Sequence, residues 1–255
     1  MTVAGAIRCV WLRYFAVFHK SLKYAIVTTF FEPLLYLFAF GFGLGPMIGT
    51  VDVLGVRMTY RQFIFAGIVA QTLMFQGFFE AAFGSFIRMY YQRVFQAIAV
   101  TQITLSEVLW AELIWDASKA TFAASAVLMI GIATGDFSPA GALATLPIAF
   151  LAGLLFAALG LLVAAKSQTI EEINYPQYLL IFPMFLFCGV FFPLGNLPVY
   201  LQWVAWILPL TAVVSIIRTL TLGTALEPGV FVVIPVWLLV LTPWSRKAMS
   251  RRLIK

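Results

Sequence analysis

Residues 188–211 read CGVFFPLGNLPVYLQWVAWILPLT, and the fold turns on how this stretch is understood. It carries no charge, yet Gly189, Pro193, Gly195, Pro198 and Pro209 interrupt it. A straight membrane-spanning helix does not suit so many breakers, because proline removes a backbone donor and crowds the preceding turn. An aqueous loop does not suit Phe191, Phe192, Leu197, Leu201, Trp203, Trp206, Ile207 and Leu208. Irregular backbone at membrane depth is tolerated only where protein or a water-filled cavity covers it. A short apolar hairpin dipping back from one membrane face meets both demands. Trp203 and Trp206 suit its interfacial level.

The rest of the chain supports a membrane setting. Of 255 residues, 63% are hydrophobic and 10% charged, against roughly 25% charged in soluble domains. The mean hydropathy is +1.00. One soluble core cannot hide so much apolar surface. Six long apolar stretches have the length of spans, near 25–47, 62–83, 108–134, 142–165, 174–192 and 229–245. Ahead of them, residues 1–24 read as an amphipathic helix lying in the interface. Ile7, Val10, Trp11, Tyr14 and Phe18 share one face, and Arg8, Arg13, His19, Lys20 and Lys23 the other. The expected fold is an all-α integral membrane protein. It has an interfacial helix over 1–24, a six-span unit over 25–255, an inner loop at 84–107 and an outer re-entrant hairpin at 193–226.

Charge sets the orientation. Arg8, Arg13, Lys20, Lys23, Arg88, Arg93, Lys166, Arg246, Lys247, Arg251, Arg252 and Lys255 fall on one side. Arg57, Arg61 and Arg218 fall on the other. The positive-inside rule then places both termini in the cytoplasm and the hairpin outside. The net charge of +6 is thus a topology signal, and nucleic acid is not an expected partner. No uninterrupted apolar signal-peptide core is expected at the start, where basic residues break the run.

Enzymatic chemistry finds little support. His19 is the sole histidine, and Cys9 and Cys188 stand far apart, so neither a metal site nor a His-based catalytic site is expected. GLLVAAKS (160–167) approaches a phosphate-binding loop, but Ala165 stands where the second glycine belongs and the run ends a span. No nucleotide cofactor is expected in this chain. Charges inside spans tell more, because they are costly there. Glu32 precedes Pro33 in span one, where it serves either as an interface residue or beside a polar headgroup route. Glu80 in span two has the same two readings. Glu112, Asp116 and Lys119 stack on one face of span three, with Asp116–Lys119 read either as an internal ion pair or as a gating or subunit contact. Gly41, Gly45 and Gly49, and Gly153, Ala157 and Gly160, are small enough for close helix approach. The inner loop GSFIRMYYQRVFQAIAVTQITLSE (84–107) reads as a short flat helix with a polar face or as a solvated loop.

Together the stretches EPLLYLFAFGFGLGPMIG (32–49), FIFAGIVAQTLMF (63–75), FGSFIRMYYQRVFQAIAVTQITLSEVLWAEL (83–113) and FPMFLFCGVFFPLGNLPVYLQWVAWILPLT (182–211) resemble type 2 ABC exporter permeases. Within that family they look most like the NodJ-like, nodulation-factor (lipo-oligosaccharide) exporter branch. The resemblance implies a transport subunit of the bacterial inner membrane, working as a homodimer. It would act with two copies of a separate cytoplasmic ATPase, where ATP and magnesium bind. It implies a coupling helix around Tyr90, Tyr91, Gln92, Arg93, Val94, Phe95 and Gln96. It also implies re-entrant helices near the exit, carrying Pro193, Gly195, Pro198, Trp203, Trp206 and Pro209. The substrate would be a lipid-linked or amphipathic saccharide, with a hydrophobic drug as the alternative. Tyr36, Phe38, Phe75, Phe78, Phe79, Phe185 and Phe187 are candidate pathway aromatics. An intramembrane transferase would need converging His, Asp or Glu, and a channel would need a ring of ion ligands; neither pattern is evident.

Overall fold

The computed structural model describes residues 2–225 and 229–253. The expected hairpin end at residue 226 and the inner-side Lys255 lie outside them. Among these residues the regular structure is helical but for one two-stranded hairpin. The first helix, Val3–Lys20, is capped by Thr2, whose hydroxyl accepts from Gly5 N. Its apolar stripe is the one the sequence shows, but much of its cover is protein rather than acyl chain. Val10 and Tyr14 pack against Ala111 and Trp115 of span three, with Ile7, Trp11 and Phe18 alongside. Trp11 Nε1 donates to Ser118 Oγ at 3.3 Å.

Span one begins at Leu22–Tyr36 and continues through wide π-helical turns, Leu37–Leu44, into Gly45–Ile48. The outer loop after it is not plain coil. Thr50–Val53 and Val56–Thr59 pair antiparallel in the register Thr50↔Thr59 to Val53↔Val56. Leu54 and Gly55 turn the hairpin at φ 53° and 80°, the left-handed pair that matches strand twist. Asp52 Oδ1 accepts from Gly55 N at 3.0 Å.

Span two is one helix over Tyr60–Tyr90. Thr59 and Gln62 form a capping box at its start. Span three is Leu105–Ala133, also opened by a capping box, from Thr104 and Glu107. Span four is Pro139–Lys166. These three form the centre, with Phe63, Phe65, Phe78 and Phe156 wholly buried. Span six is Val230–Leu253. Span five, 171–187, is the exception. It is an irregular run of 3-10, α and π turns that ends at Phe187, short of the expected 192. Gly189 at φ 80° turns the chain there, and Pro193 follows. At about 1.5 Å per residue it covers only about 25 Å, less than a typical hydrocarbon core.

Small residues at the centre let backbones meet. A Cβ on Gly160 would strike Phe78 O, and one on Gly153 would sit 3.1 Å from Ala117 O. The close approach expected for Gly153 and Gly160 is therefore real. Gly45 and Gly49 have only open space or a distant backbone oxygen in that direction, and Gly41 makes ordinary contacts. Of that second cluster only Gly41 faces a neighbouring span, where Arg61 and Ile64 of span two lie in ordinary contact.

The quoted segment forms two helices, Val199–Ile207 and Pro209–Leu222, bent by 86° at Leu208. Pro209 occupies the first turn of the second helix, where a missing donor costs nothing. The second helix is buried and the first lies largely exposed. The second helix ends beside the starts of spans two and four, and the bend meets span six. Leu220 O abuts Gly141 at the outer start of span four. Arg218 reaches Phe63 O near the outer start of span two, and Trp237 Nε1 donates to Ile207 O at 3.0 Å. The pair is a sharply bent unit packed against spans two, four and six.

Candidate functional site

The inner ends of spans two and three enclose a charge cluster that only partly follows the sequence reading. The wide turn Glu80–Gly84 in span two under-rotates the helix. Glu80 and Arg88 thereby come to the face of span three. Gly84 has no side chain where the Arg88 guanidinium folds back; a Cβ there would lie 3.0 Å from Arg88 Nη2. Arg88 Nη2 stands 2.5 Å from Glu112 Oε1 and 3.5 Å from Asp116 Oδ1, and Nη1 is 3.2 Å from Glu80 Oε1. Ser85 Oγ also donates to Glu112 Oε1, at 2.6 Å. Lys119 Nζ lies 2.5 Å from Glu80 Oε2.

The expected Asp116–Lys119 pair is thus replaced by two pairings across helices. Lys119 goes to Glu80, and Asp116 goes to Arg88. The physical reason is Arg88, assigned by sequence to the inner loop because basic residues mark that side. Its guanidinium instead lies 13% exposed within the bundle. A planar fork can serve several carboxylates at once, leaving the lysine for Glu80. The clue was the absence of proline or glycine between Gly84 and Tyr90, which allows span two to run on.

Tyr14 of the interfacial helix closes the cluster. Its ring lies 5.2 Å under the Arg88 guanidinium. Burial, with the Glu112 carboxylate beside it, pushes its phenol well above the usual range. Glu32 is half-buried and has no ion-pair partner among the described residues.

The inner connection is a corner and a short helix rather than one flat helix over 84–107. Tyr90 ends span two, Tyr91 and Gln92 turn, and Arg93 sits at φ 50° before the helix Val94–Ala99. Tyr90, Tyr91, Gln92, Arg93 and Gln96 are exposed, whereas Val94 and Phe95 are buried and anchor the helix. A second cavity of about 420 Å³ opens beside Phe95, Gln96 and Thr101. Span six joins this floor. Arg252 Nη1 donates to Ala164 O at 2.7 Å and to Ser167 O, capping the end of span four. Arg246 Nη2 donates to Ser106 Oγ at 2.5 Å.

Four candidate aromatics converge. Tyr36, Phe75 and Phe79 join Phe185 in a chain of ring contacts: Tyr36–Phe185 at 5.7 Å, Phe75–Phe185 at 5.2 Å and Phe75–Phe79 at 5.5 Å. Phe191 extends it, 4.8 Å from both Phe40 and Phe185. Phe78 is buried behind Phe79, while Phe38 and Phe187 face outward.

On the outer side, the strand hairpin and the 188–197 turn enclose a cavity of about 900 Å³. Pro193, Gly195 and Trp206 line it. Pro198 precedes the first re-entrant helix and Pro209 opens the second. Trp203 is exposed. Arg61 closes the outer rim with Asp136 at 2.9 Å.

A long N-terminal helix packed on span three, a buried charge cluster above a short exposed helix, and a bent helix pair before the last span join five helices long and apolar enough to cross a membrane. The chain belongs to the ABC-2 type transporter family, whose pattern it matches over residues 6–222. It is 37% identical to Nodulation protein J of Rhizobium meliloti (strain 1021), over 85% of this chain and 81% of that one. It is 34% identical to Nodulation protein J of Rhizobium leguminosarum bv. viciae, over 95% and 94%, and 34% identical to that of Sinorhizobium fredii, over 90% and 89%. Family membership implies a partner ATPase subunit.

Proposed function

We propose that this chain is the permease half of an ATP-driven exporter in a bacterial inner membrane, with both ends cytoplasmic. It works as a homodimer with two copies of a separate ATPase. It moves a lipid-linked or amphipathic saccharide from the inner leaflet outward. The observation that carries this is the joining of an exposed cytoplasmic corner to a buried ionic cluster. Tyr91, Gln92 and Arg93 on the corner and Gln96 on the short helix after it are exposed, and Val94 and Phe95 anchor that helix. Through span two, that corner is continuous with Arg88 and its three carboxylates.

A push on the corner by a closing ATPase dimer is thereby transmitted to the contact between spans two and three. Buried charge pairs suit such a device, because they hold one register firmly and resist intermediate ones. The chain itself hydrolyses nothing; ATP and magnesium belong to the partner. The aromatic chain Tyr36–Phe185–Phe75–Phe79 offers flat faces for sugar rings and apolar surface for acyl chains. The relatives named Nodulation protein J agree with the exporter branch that the sequence resembles, and this favours a lipo-oligosaccharide over a hydrophobic drug.

Co-purification from native membranes tests the assembly. An ATPase subunit should accompany the chain, and glycolipid should stimulate ATP hydrolysis more than amphiphilic drugs do. Recovery of the chain without any nucleotide-binding partner contradicts the proposal.

A further inference from the structure

Among the described residues, Arg218 is a charge without an anion. It lies on the second re-entrant helix, 6% exposed, on the side of the membrane where basic residues are few. Its Nη2 donates to Gly189 O at 2.7 Å and to Phe63 O at 3.3 Å. Its guanidinium lies 3.7 Å over the Phe63 ring. Its Nε has no hydrogen-bond partner, and among the described residues no carboxylate pairs with it. Arginine keeps its proton in a protein, so this is a standing positive charge. Two carbonyls and a ring face offset part of its desolvation; they do not neutralise it. Arg88, by contrast, has three carboxylates around it.

Arg218 also lines the outer cavity of about 900 Å³. That volume lies in the range of sites for small molecules. Its walls are mixed. Phe191, Leu194 and Trp206 provide apolar surface, and Asn196, Thr211 and Ser215 provide polar groups. The other titratable groups lining it are Asp52, Tyr60 and Cys188. Asp52 is exposed on the strand hairpin, where its Oδ1 caps Gly55 N. Tyr60 donates its hydroxyl to Phe191 O at 3.1 Å, and Cys188 is a buried thiol. None of these supplies the missing negative charge.

We infer that the outer cavity is a binding site for an anionic headgroup of an amphipathic molecule, held by Arg218. The chemistry is a single phosphate, sulfate or carboxylate beside an apolar portion. The guanidinium takes the anion through charge-assisted hydrogen bonds, and the aromatic wall takes the adjoining apolar part. A resident phospholipid and an anionic transported molecule share this chemistry. The inference rests on the reading of this face as the exit side only for the ligand's role. Binding itself needs neither the ATPase nor transport, so one reading can fail while the other stands.

The test uses the purified full chain in neutral detergent, titrated with phosphatidylglycerol and read by native mass spectrometry. Diacylglycerol of the same chain length is the uncharged control, and inorganic phosphate is the competitor. Phosphatidylglycerol should bind saturably at one site per chain, and diacylglycerol should not. Arg218→Gln should weaken binding by about tenfold or more, the expected loss for a charge-assisted hydrogen bond. Ser215→Glu keeps Arg218 and adds a carboxylate one turn away, where it can take the anion's place. That variant should fold with an undiminished melting temperature and lose the lipid to the same degree. Displacement by phosphate would show that any anion suffices; lipid binding that resists phosphate would show that headgroup and chains are recognised together. Either result upholds an anion on Arg218. Equal affinity in wild type and both variants overturns the inference. So does a loss confined to Arg218→Gln with Ser215→Glu unchanged, since Arg218 would then only strap Gly189 to Phe63.

Discussion

Arg88 Nη2 lies 2.5 Å from Glu112 Oε1, and this contact fixes the register of spans two and three at the inner face. Glu112 is wholly buried and sits about 10 Å along span three from its first residue. Removing the arginine would strand Glu112 and Asp116 without a cation. Arg88→Met should therefore cost about 3–5 kcal/mol of stability, visible as a large fall in detergent melting temperature. Arg88→Met combined with Glu112→Gln and Asp116→Asn should recover a good part of that loss. A single variant as stable as wild type would contradict the cluster.

Lys119 and Glu80 form the second inter-span pair at 2.5 Å. Lys119→Ala should destabilise more than Lys119→Ala with Glu80→Gln, because the single variant leaves three carboxylates to share Arg88 alone and the double variant leaves two. Pairing Lys119→Ala with Asp116→Asn should give no such rescue. The opposite pattern in a double-mutant cycle would restore the within-helix pair that spacing alone suggests.

Arg93 stands at φ 50° on the exposed corner. Replacing it by glycine relieves a left-handed conformation that costs roughly 1 kcal/mol for a non-glycine residue. Arg93→Gly should thus insert and melt at or slightly above wild type. If the side chain docks on the ATPase, both Arg93→Gly and Arg93→Glu should uncouple ATP hydrolysis from transport, and Arg93→Lys should largely keep the coupling. Coupling retained in Arg93→Glu would remove this residue from the contact.

Gly67 lies under the outer turn, where a Cβ would sit 2.6 Å from Val190 O. Backbone on that side cannot yield as a flexible side chain can. Gly67→Ala should destabilise by about 1–3 kcal/mol, and proteolysis or hydrogen exchange should show the 188–197 segment loosened. Gly195→Ala, with open space around it, should show neither effect.

Much of the architecture was legible because the bilayer imposes long apolar runs and a basic inner side. The break into a bent helix pair was legible too, since Pro193, Pro198 and Pro209 interrupt a run that is too apolar for water. Span five was drawn too long, because Cys188 to Phe192 is as apolar as the helix before it and only Gly189 marks the turn. The strand hairpin escaped notice, although the alternation Val51, Val53, Val56, Met58 about Leu54–Gly55 carries its signal. The ionic cluster was half visible. Spacing placed Glu112, Asp116 and Lys119 on one face, but no spacing rule connects them to Arg88, which reaches them through a wide turn and a missing Cβ at Gly84. Val94 and Phe95 looked like docking residues for a similar reason: a six-residue helix has too few positions for periodicity to separate its buried face from its exposed one.

The central claim is that this chain turns a partner's ATP hydrolysis into outward movement of a lipid-linked saccharide. Proteoliposomes containing the chain and its co-purified ATPase test it most directly, by the appearance of a labelled lipo-oligosaccharide in the leaflet opposite the ATPase. The account predicts transfer that requires ATP, the ATPase and this chain together, and that falls sharply with Arg93→Glu. Transfer at an equal rate without ATP or without the chain, or none from the complete system while amphiphilic drugs are moved, would contradict it.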